Sequence, residues 1–306
     1  MKTDAVTFAD LAGSVLAVPP LARNADLTLN RSANAALIKH IESGGVTTLL
    51  YGGNANFYNI GLHEYGSVLD ALAETAAPGT WVIPSVGPDY GKMLDQAAVL
   101  KARKFPTAMV LPMTFPSTPD GAVVGLRKFA EAFGRPIIVY VKAEGYLTPA
   151  GVKQLVDDGI VAAIKYAIVR QDPSKDPFLS QLVELVDRKY IVSGIGERPV
   201  ITHLRDFGLN GFTSGSVCVG PRGSTKILEA CKRKDWETAA KLRASYIPLE
   251  DARDAHSPIR VLHEAVRLAG IADTGPILPL LSNIEADKHE QIRQAARALL
   301  AADQSL

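Results

Sequence analysis

The sequence is poor in cysteine, in net charge and in long apolar runs. Only Cys218 and Cys231 occur among 306 residues, too few for a disulfide framework or a Cys-rich zinc site. Lys plus Arg total 33 against 32 Asp plus Glu, a formal net charge of +1. That balance argues against coating nucleic acid or docking on an anionic membrane. No apolar stretch reaches the roughly 18 residues of a spanning helix. The six histidines (His40, His63, His203, His256, His263, His289) are scattered, and no two stand four apart. The chain therefore lacks a helical zinc pair, and neither metal nor cofactor is expected. Pro19-Pro20-Leu21-Ala22 follows the first apolar run, where a dinucleotide fold would need a Gly-rich turn. Asp4 and Asp10 interrupt a basic leader, and Pro19-Pro20 ends the run from Leu11 to Leu21. This start reads as a first strand rather than a signal peptide, and the protein is expected to be cytoplasmic.

What is present is alternation. Eight short, nearly continuous apolar runs occur at Gly13–Val18, Thr47–Gly52, Trp81–Val86, Thr107–Pro112, Pro136–Val141, Ile160–Lys165, Tyr190–Gly194 and Gly211–Ser214. Such runs suit parallel strands covered on both faces. Helical spacings separate them, as in Ala33-Ala36-Leu37-Ile41 and Tyr65-Val68-Leu69-Leu72. Thr148-Pro149 reads as an N-cap with proline in the first turn. Eight strand–helix units predict an α/β fold, a (β/α)8 TIM barrel, over residues 1–223. After that the alternation stops. Helical patterns at Thr225–Lys232, Trp236–Ala244, Pro258–Leu268 and Ile284–Ala302 predict a C-terminal helical extension, 224–306, packed on the barrel.

A barrel of this kind places its chemistry at the C-terminal ends of the strands. Those ends supply Gly53 and Asn54 after the second strand and Thr114 after the fourth. Tyr140 and Lys142 follow the fifth, Lys165 closes the sixth, and Gly194 and Thr213 end the seventh and eighth. Lys165 follows Ile160-Val161-Ala162-Ala163-Ile164. Burial of its amine disfavours the charge and frees the lone pair to attack a carbonyl. Otherwise it leaves the core for water or a carboxylate. Tyr140, on the neighbouring strand, is placed to exchange protons with that amine, or is simply an aromatic at the rim. Lys142 competes for the nucleophile's role, or is a solvated loop lysine. Gly52-Gly53-Asn54-Ala55-Asn56 offers backbone N–H groups to an anion, or is an ordinary turn.

With those residues in view, the chain resembles the dihydrodipicolinate synthase / N-acetylneuraminate lyase family, the class I Schiff-base aldolases and lyases. Ile137-Ile138-Val139-Tyr140 is similar to the run ending in the family's catalytic tyrosine. Ala163-Ile164-Lys165 is similar to its Gly-Ile-Lys signature. Val192-Ser193-Gly194 and Gly211-Phe212-Thr213-Ser214 are similar to its seventh and eighth strands. The resemblance implies a lyase, aldolase or dehydratase, acting on pyruvate or a 2-oxo acid such as a 2-oxo-3-deoxy sugar acid. It implies catalytic roles for Lys165 and Tyr140, and substrate binding by Gly53, Asn54, Thr114, Gly194 and Thr213. The small-molecule 2-oxo acid is then the partner, with no nucleic acid or membrane, and a homo-oligomer is implied.

The departures define a divergent member. The family's Gly-Thr-Thr-Gly-Glu loop is replaced by Gly52-Gly53-Asn54-Ala55-Asn56, which lacks both hydroxyls. Its Pro-Tyr-Tyr becomes Pro112-Met113-Thr114, and the entrance arginine after Tyr140 gives way to Gly145 or its neighbours. These losses argue against dihydrodipicolinate synthesis itself and leave the Lys165–Tyr140 pair. Met113, Phe115, Phe57 and Tyr58 predict an apolar mouth, which keeps an aromatic or aliphatic aldehyde open as acceptor. Two other readings remain. One is a non-catalytic 2-oxo acid binder on the same barrel. The other is a phosphate-handling enzyme that uses Gly194-Ile195-Gly196 and Gly215-Ser216 with Arg198 and Arg222 as clamps. Glu197-Arg198 is read as an ion pair bracing its loop, or as a contact to a polar substrate tail.

Overall fold

Eight parallel strands close into a barrel in sequence order, and the computed structural model describes residues 1–306. The strands are β1 (Leu16–Ala17), β2 (Thr48–Tyr51), β3 (Trp81–Val86), β4 (Met109–Val110), β5 (Ile137–Val141), β6 (Val161–Tyr166), β7 (Ile191–Ser193) and β8 (Gly211–Ser214). β8 pairs back onto β1, Leu16 beside Thr213, which closes the cylinder. Every strand residue is buried, because side chains fill the interior and helices cover the outside. Two expected strands are cut to two residues each. Phe8–Gly13 forms a helix, α1, fixed by reciprocal hydrogen bonds between Thr7 and Asp10, so β1 starts at Leu16. β4 keeps only Met109 and Val110 of the expected Thr107–Pro112.

The shell consists of α2 (Arg31–Ser43), α3 (Leu62–Thr75), α4 (Tyr90–Ala102), α5 (Pro119–Phe133), α6 (Pro149–Asp157), α7 (Pro177–Leu185), α8 (Val200–Arg205) and α9 (Pro221–Lys232). Their starts are encoded locally. Asn30, Asp89, Thr118, Thr148 and Asp176 each accept a hydrogen bond from a first-turn N–H, which satisfies a donor the helix itself cannot. Pro119, Pro149, Pro177 and Pro221 open their helices, where a missing N–H costs nothing.

The tail continues through α10 (Trp236–Ala244), α11 (Ile247–Ala255), α12 (Pro258–Leu268) and α13 (His289–Gln304). No helix is long and apolar enough to cross a membrane. One continuous cluster of 85 buried hydrophobic residues includes Leu16 and Ile164 of the strands with Val261, Leu262 and Leu299 of the tail. The tail is thus packed on the barrel rather than tethered to it. Helix α11 was not expected from the sequence. Its buried side chains are Leu249, Glu250, Ala252 and Arg253, so half its inner face is charged and shows no apolar stripe.

Candidate active site

A cavity of about 230 Å³ opens at the C-terminal ends of the strands, roofed by α11 and the start of α12. It gathers Tyr140, Lys142, Lys165, Gly53, Asn54, Gly194 and Thr213. Thr114 is not among its walls and lies exposed in the loop after β4. Strands β3 and β4 contribute nothing to it; the lining comes from β1, β2 and β5 to β8 with their following loops.

Lys165 and Tyr140 meet through a register irregularity. Ile137 pairs with Val161, but Ile138 pairs with Ala163, so β6 carries one extra residue. The bulge sets Lys165 directly opposite Tyr140. In an unbroken register Lys165 would oppose Val141, and the two side chains would point to opposite faces. As built, Lys165 Nζ lies 4.3 Å from the centroid of the Tyr140 ring. The lysine is 4% exposed. Burial, helped by the charges of Lys142 and Arg253, lowers its pKa from 10.5 to about 7. Burial also pushes the Tyr140 phenol well above its ordinary value, so it remains a neutral O–H group at neutral pH.

Lys142 is at the cavity rim, exposed, with its ammonium 5.7 Å from the Tyr58 ring centroid. Desolvation lowers its pKa too. It therefore shares the cavity with Lys165 while keeping contact with water.

The floor is built from glycine. A Cβ on Gly194 would sit 2.7 Å from the Tyr166 carbonyl oxygen and 2.8 Å from Lys165 Cγ. Backbone cannot yield as a flexible side chain does. Gly194→Ala is expected to destabilise the chain by about 1–3 kcal/mol through overpacking and to shift Lys165. Denaturant melts combined with covalent trapping at Lys165 would check this; unchanged trapping would show that the lysine tolerates the displacement.

On the opposite wall, Asn54 donates its side-chain N–H to the Val18 carbonyl at 2.8 Å. The backbone N–H groups of Gly53 and Asn54 have no protein acceptor. Beside them stands Arg253 of α11, which sequence reasoning missed. Its Nη1 donates to Glu250 Oε1 at 2.7 Å. Glu250 Oε1 also accepts from Ser216 Oγ at 2.5 Å. The signal that was available is the i, i+3 pair Glu250–Arg253, which resembles an ordinary solvated helix face.

Several expectations are corrected here. Glu197 and Arg198 do not pair with each other. Arg198 turns to Asp251 at 2.5 Å and Asp254 at 3.0 Å. Glu197 is fully buried and accepts from Ser224 Oγ at 2.5 Å, with its other oxygen unpartnered. Burial and the nearby Glu250 push its pKa above the ordinary carboxylate range. The phosphate clamps are taken as well, Arg198 by those two aspartates and Arg222 by Asp303 at 3.9 Å. The expected apolar mouth is absent. Phe57 is a core residue, and none of Phe57, Tyr58, Met113 and Phe115 lines the cavity. Six of the nineteen lining residues are hydrophobic, and the others are polar, charged, glycine or proline.

Met113 and Phe115 instead line a groove of about 680 Å³ between α4, α5 and the loop after β4. It has no carboxylate or imidazole in its walls and lies away from the strand-end amine. A serine–histidine contact does exist, Ser193 Oγ to His203 Nδ1 at 2.8 Å. Both residues are buried between β7 and α8, and burial lowers the imidazole pKa to about 4. Neither lines the cavity, so the pair ties strand to helix.

No protein-family model and no curated protein sequence matches the chain. Solved structures do. Dihydrodipicolinate synthase from Bacillus clausii superposes with a TM-score of 0.82 at 20% identity, over 97% of this chain and 100% of that one. A prophage protein of the dihydrodipicolinic acid synthase family from E. coli K12, in complex with pyruvate, gives 0.82 at 20% identity over 93% and 98%. A catalytic-lysine mutant of Ruminococcus gnavus sialic acid aldolase gives 0.83 at 13% identity over 96% and 98%. The neighbours span this chain from barrel to tail, and its fold is that of the dihydrodipicolinate synthases and sialic acid aldolases.

Proposed function

We propose that the chain is a Schiff-base-forming lyase that acts on pyruvate or a longer 2-oxo acid, with a 2-oxo-3-deoxy sugar acid as the preferred class. The observation that carries the reading is Lys165, a buried amine brought near neutrality and set against Tyr140 in a small cavity at the strand ends. A pKa of about 7 leaves a large share of the amine unprotonated at neutral pH, which is what a nucleophile needs. The sialic acid aldolase neighbour has a catalytic lysine, and the E. coli neighbour binds pyruvate. Both fit this reading.

In the proposed reaction the Lys165 nitrogen adds to the 2-oxo carbon, and the carbonyl oxygen takes a proton to give a carbinolamine. Loss of water leaves a protonated imine. In the cleavage direction a proton leaves the C4 hydroxyl, the C3–C4 bond breaks into the iminium as an enamine, and an aldehyde departs. The enamine takes a proton at C3, and water then returns the free amine and the shortened oxo acid. Tyr140, as a neutral phenol, relays protons to and from these oxygens. Gly53 and Asn54 receive the substrate carboxylate, and Gly194 and Thr213 shape the cavity around the chain.

The test is covalent. Pyruvate, and separately a 2-oxo-3-deoxy sugar acid, is incubated with the protein and reduced with borohydride, followed by intact mass and peptide mapping. The expected adduct is on Lys165 and is lost in Lys165→Ala. An adduct on Lys142 would keep the chemistry and overturn the site. No adduct with either compound on folded protein would favour a non-catalytic binder.

A further inference from the structure

The geometry points to Arg253, from the helical tail, as the cation that holds the carboxylate of the 2-oxo acid. This rests on the Schiff-base reading for the substrate's identity, but not for the contact. Arg253 Nη2 and Asn54 Nδ2 lie 2.8 and 2.9 Å from one point, the position a Cβ on Gly215 would occupy. Leu262 Cδ2 lies 3.0 Å from the same point, so no side chain fits there, and glycine at 215 lets the guanidinium and the amide close in side by side at the cavity wall. Nη1 of the same guanidinium is held by Glu250, whereas Nη2 donates to no protein group. Arg253 is 9% exposed. A buried, half-used guanidinium is costly without an acceptor and well shaped for a carboxylate.

The rest of the wall agrees. Gly53 and Asn54, whose backbone N–H groups have no protein acceptor, line the same cavity. The N-terminus of α12 reaches the cavity through Ser257, Pro258 and Ile259, and its dipole favours an anion. The two carboxylates in the lining are each paired, Glu250 with Arg253 and Asp254 with Arg198. A 2-oxo acid carries its carboxylate on the carbon next to the carbonyl. In a cavity of about 230 Å³ shared by Lys165 and Arg253, one small molecule meets both.

Arginine here would take over the contact that the missing loop hydroxyls cannot make. Lys142, exposed at the rim, is left for the far end of a longer substrate.

The test compares pyruvate with pyruvamide, which keeps the ketone and loses the charge. Arg253→Lys retains a charge for Glu250 but has no second nitrogen. Arg253→Met with Glu250→Gln removes the pair together, so that no buried charge is stranded. Removing Arg253 also removes a charge that depresses the Lys165 pKa; that change acts on both ligands alike and cancels in the comparison. The concentration giving half-maximal borohydride trapping is expected to rise about tenfold to a hundredfold for pyruvate in both variants, the span of a hydrogen bond between charged groups. For pyruvamide it should stay within about threefold, inside the scatter of a neutral contact. Equal shifts for both ligands, or none, would overturn the assignment. Titration calorimetry with pyruvate on the same full-length proteins separates the two ideas. Should wild type trap nothing yet bind pyruvate through Arg253, the imine reading fails and this one stands. Should wild type bind no pyruvate, or the variants bind it equally well, this one fails.

Discussion

Lys165→Met is expected to abolish imine trapping and, at the same time, to make the protein more heat-stable at neutral pH. The same burial drives both effects. The folded-state pKa of about 7 lies far below the ordinary 10.5. Between those values the unfolded chain holds a proton that the native chain has shed. Stability contributed by this site therefore rises with pH across the window, and the cost of burying the amine is greatest below about pH 7. A tenfold change in proton affinity is worth about 1.36 kcal/mol, so the cost at pH 7 is on the order of 4 kcal/mol. Methionine has a similar length and no charge to desolvate. The melting temperature should rise by about 5 °C or more at pH 7, and the gain should shrink towards pH 10. Melts of both proteins at pH 6, 8 and 10 decide it. A variant that is less stable at every pH would mean that the amine is solvated or paired in the native state.

Tyr140→Phe is expected to separate imine formation from proton transfer. The imine should still form, because the nucleophile and its pKa depend chiefly on burial. Exchange of the pyruvate C3 hydrogens in deuterated water, which requires enamine formation, should fall by about 10²–10⁴, the usual contribution of a positioned acid–base group. NMR reads the exchange directly and needs no knowledge of the acceptor aldehyde. An acid limb near pH 7 is expected from the Lys165 pKa and should survive in the variant. Exchange at the wild-type rate would reduce Tyr140 to a packing residue.

The barrel was legible because each strand is buried on both faces and stands out as a continuous apolar run; Trp81–Val86 and Gly211–Ser214 match their expected bounds. The lysine and tyrosine were legible as strand-end residues. That they face each other was not. It depends on one extra residue in β6, and a backbone bulge among Val161, Ala162 and Ala163 leaves no mark in side-chain periodicity. Arg253 escaped for a different reason. Charged residues at helical spacing read as a wet surface, and only tertiary packing shows that Glu250 and Arg253 are buried against the mouth of the barrel. Phe115 erred in the other direction: an aromatic at a strand exit suggested a wall of the site, yet it is 88% exposed over a separate groove.

The cavity straddles the seam where the last strand meets the first. Val18, Gly53 and Asn54 come from one side of that seam, and Tyr140, Lys165, Gly194 and Thr213 from the other. A half-barrel intermediate, whichever half it contains, has either Lys165 or the Gly53-Asn54 turn but not both. Small-ligand affinity therefore reports on closure of the cylinder, the contact of longest sequence separation in the sheet and so the one a folding chain makes at the greatest entropic cost. On the proposed function, a bound oxo acid would act as a clasp across that seam, favouring the closed form over every partly zipped one.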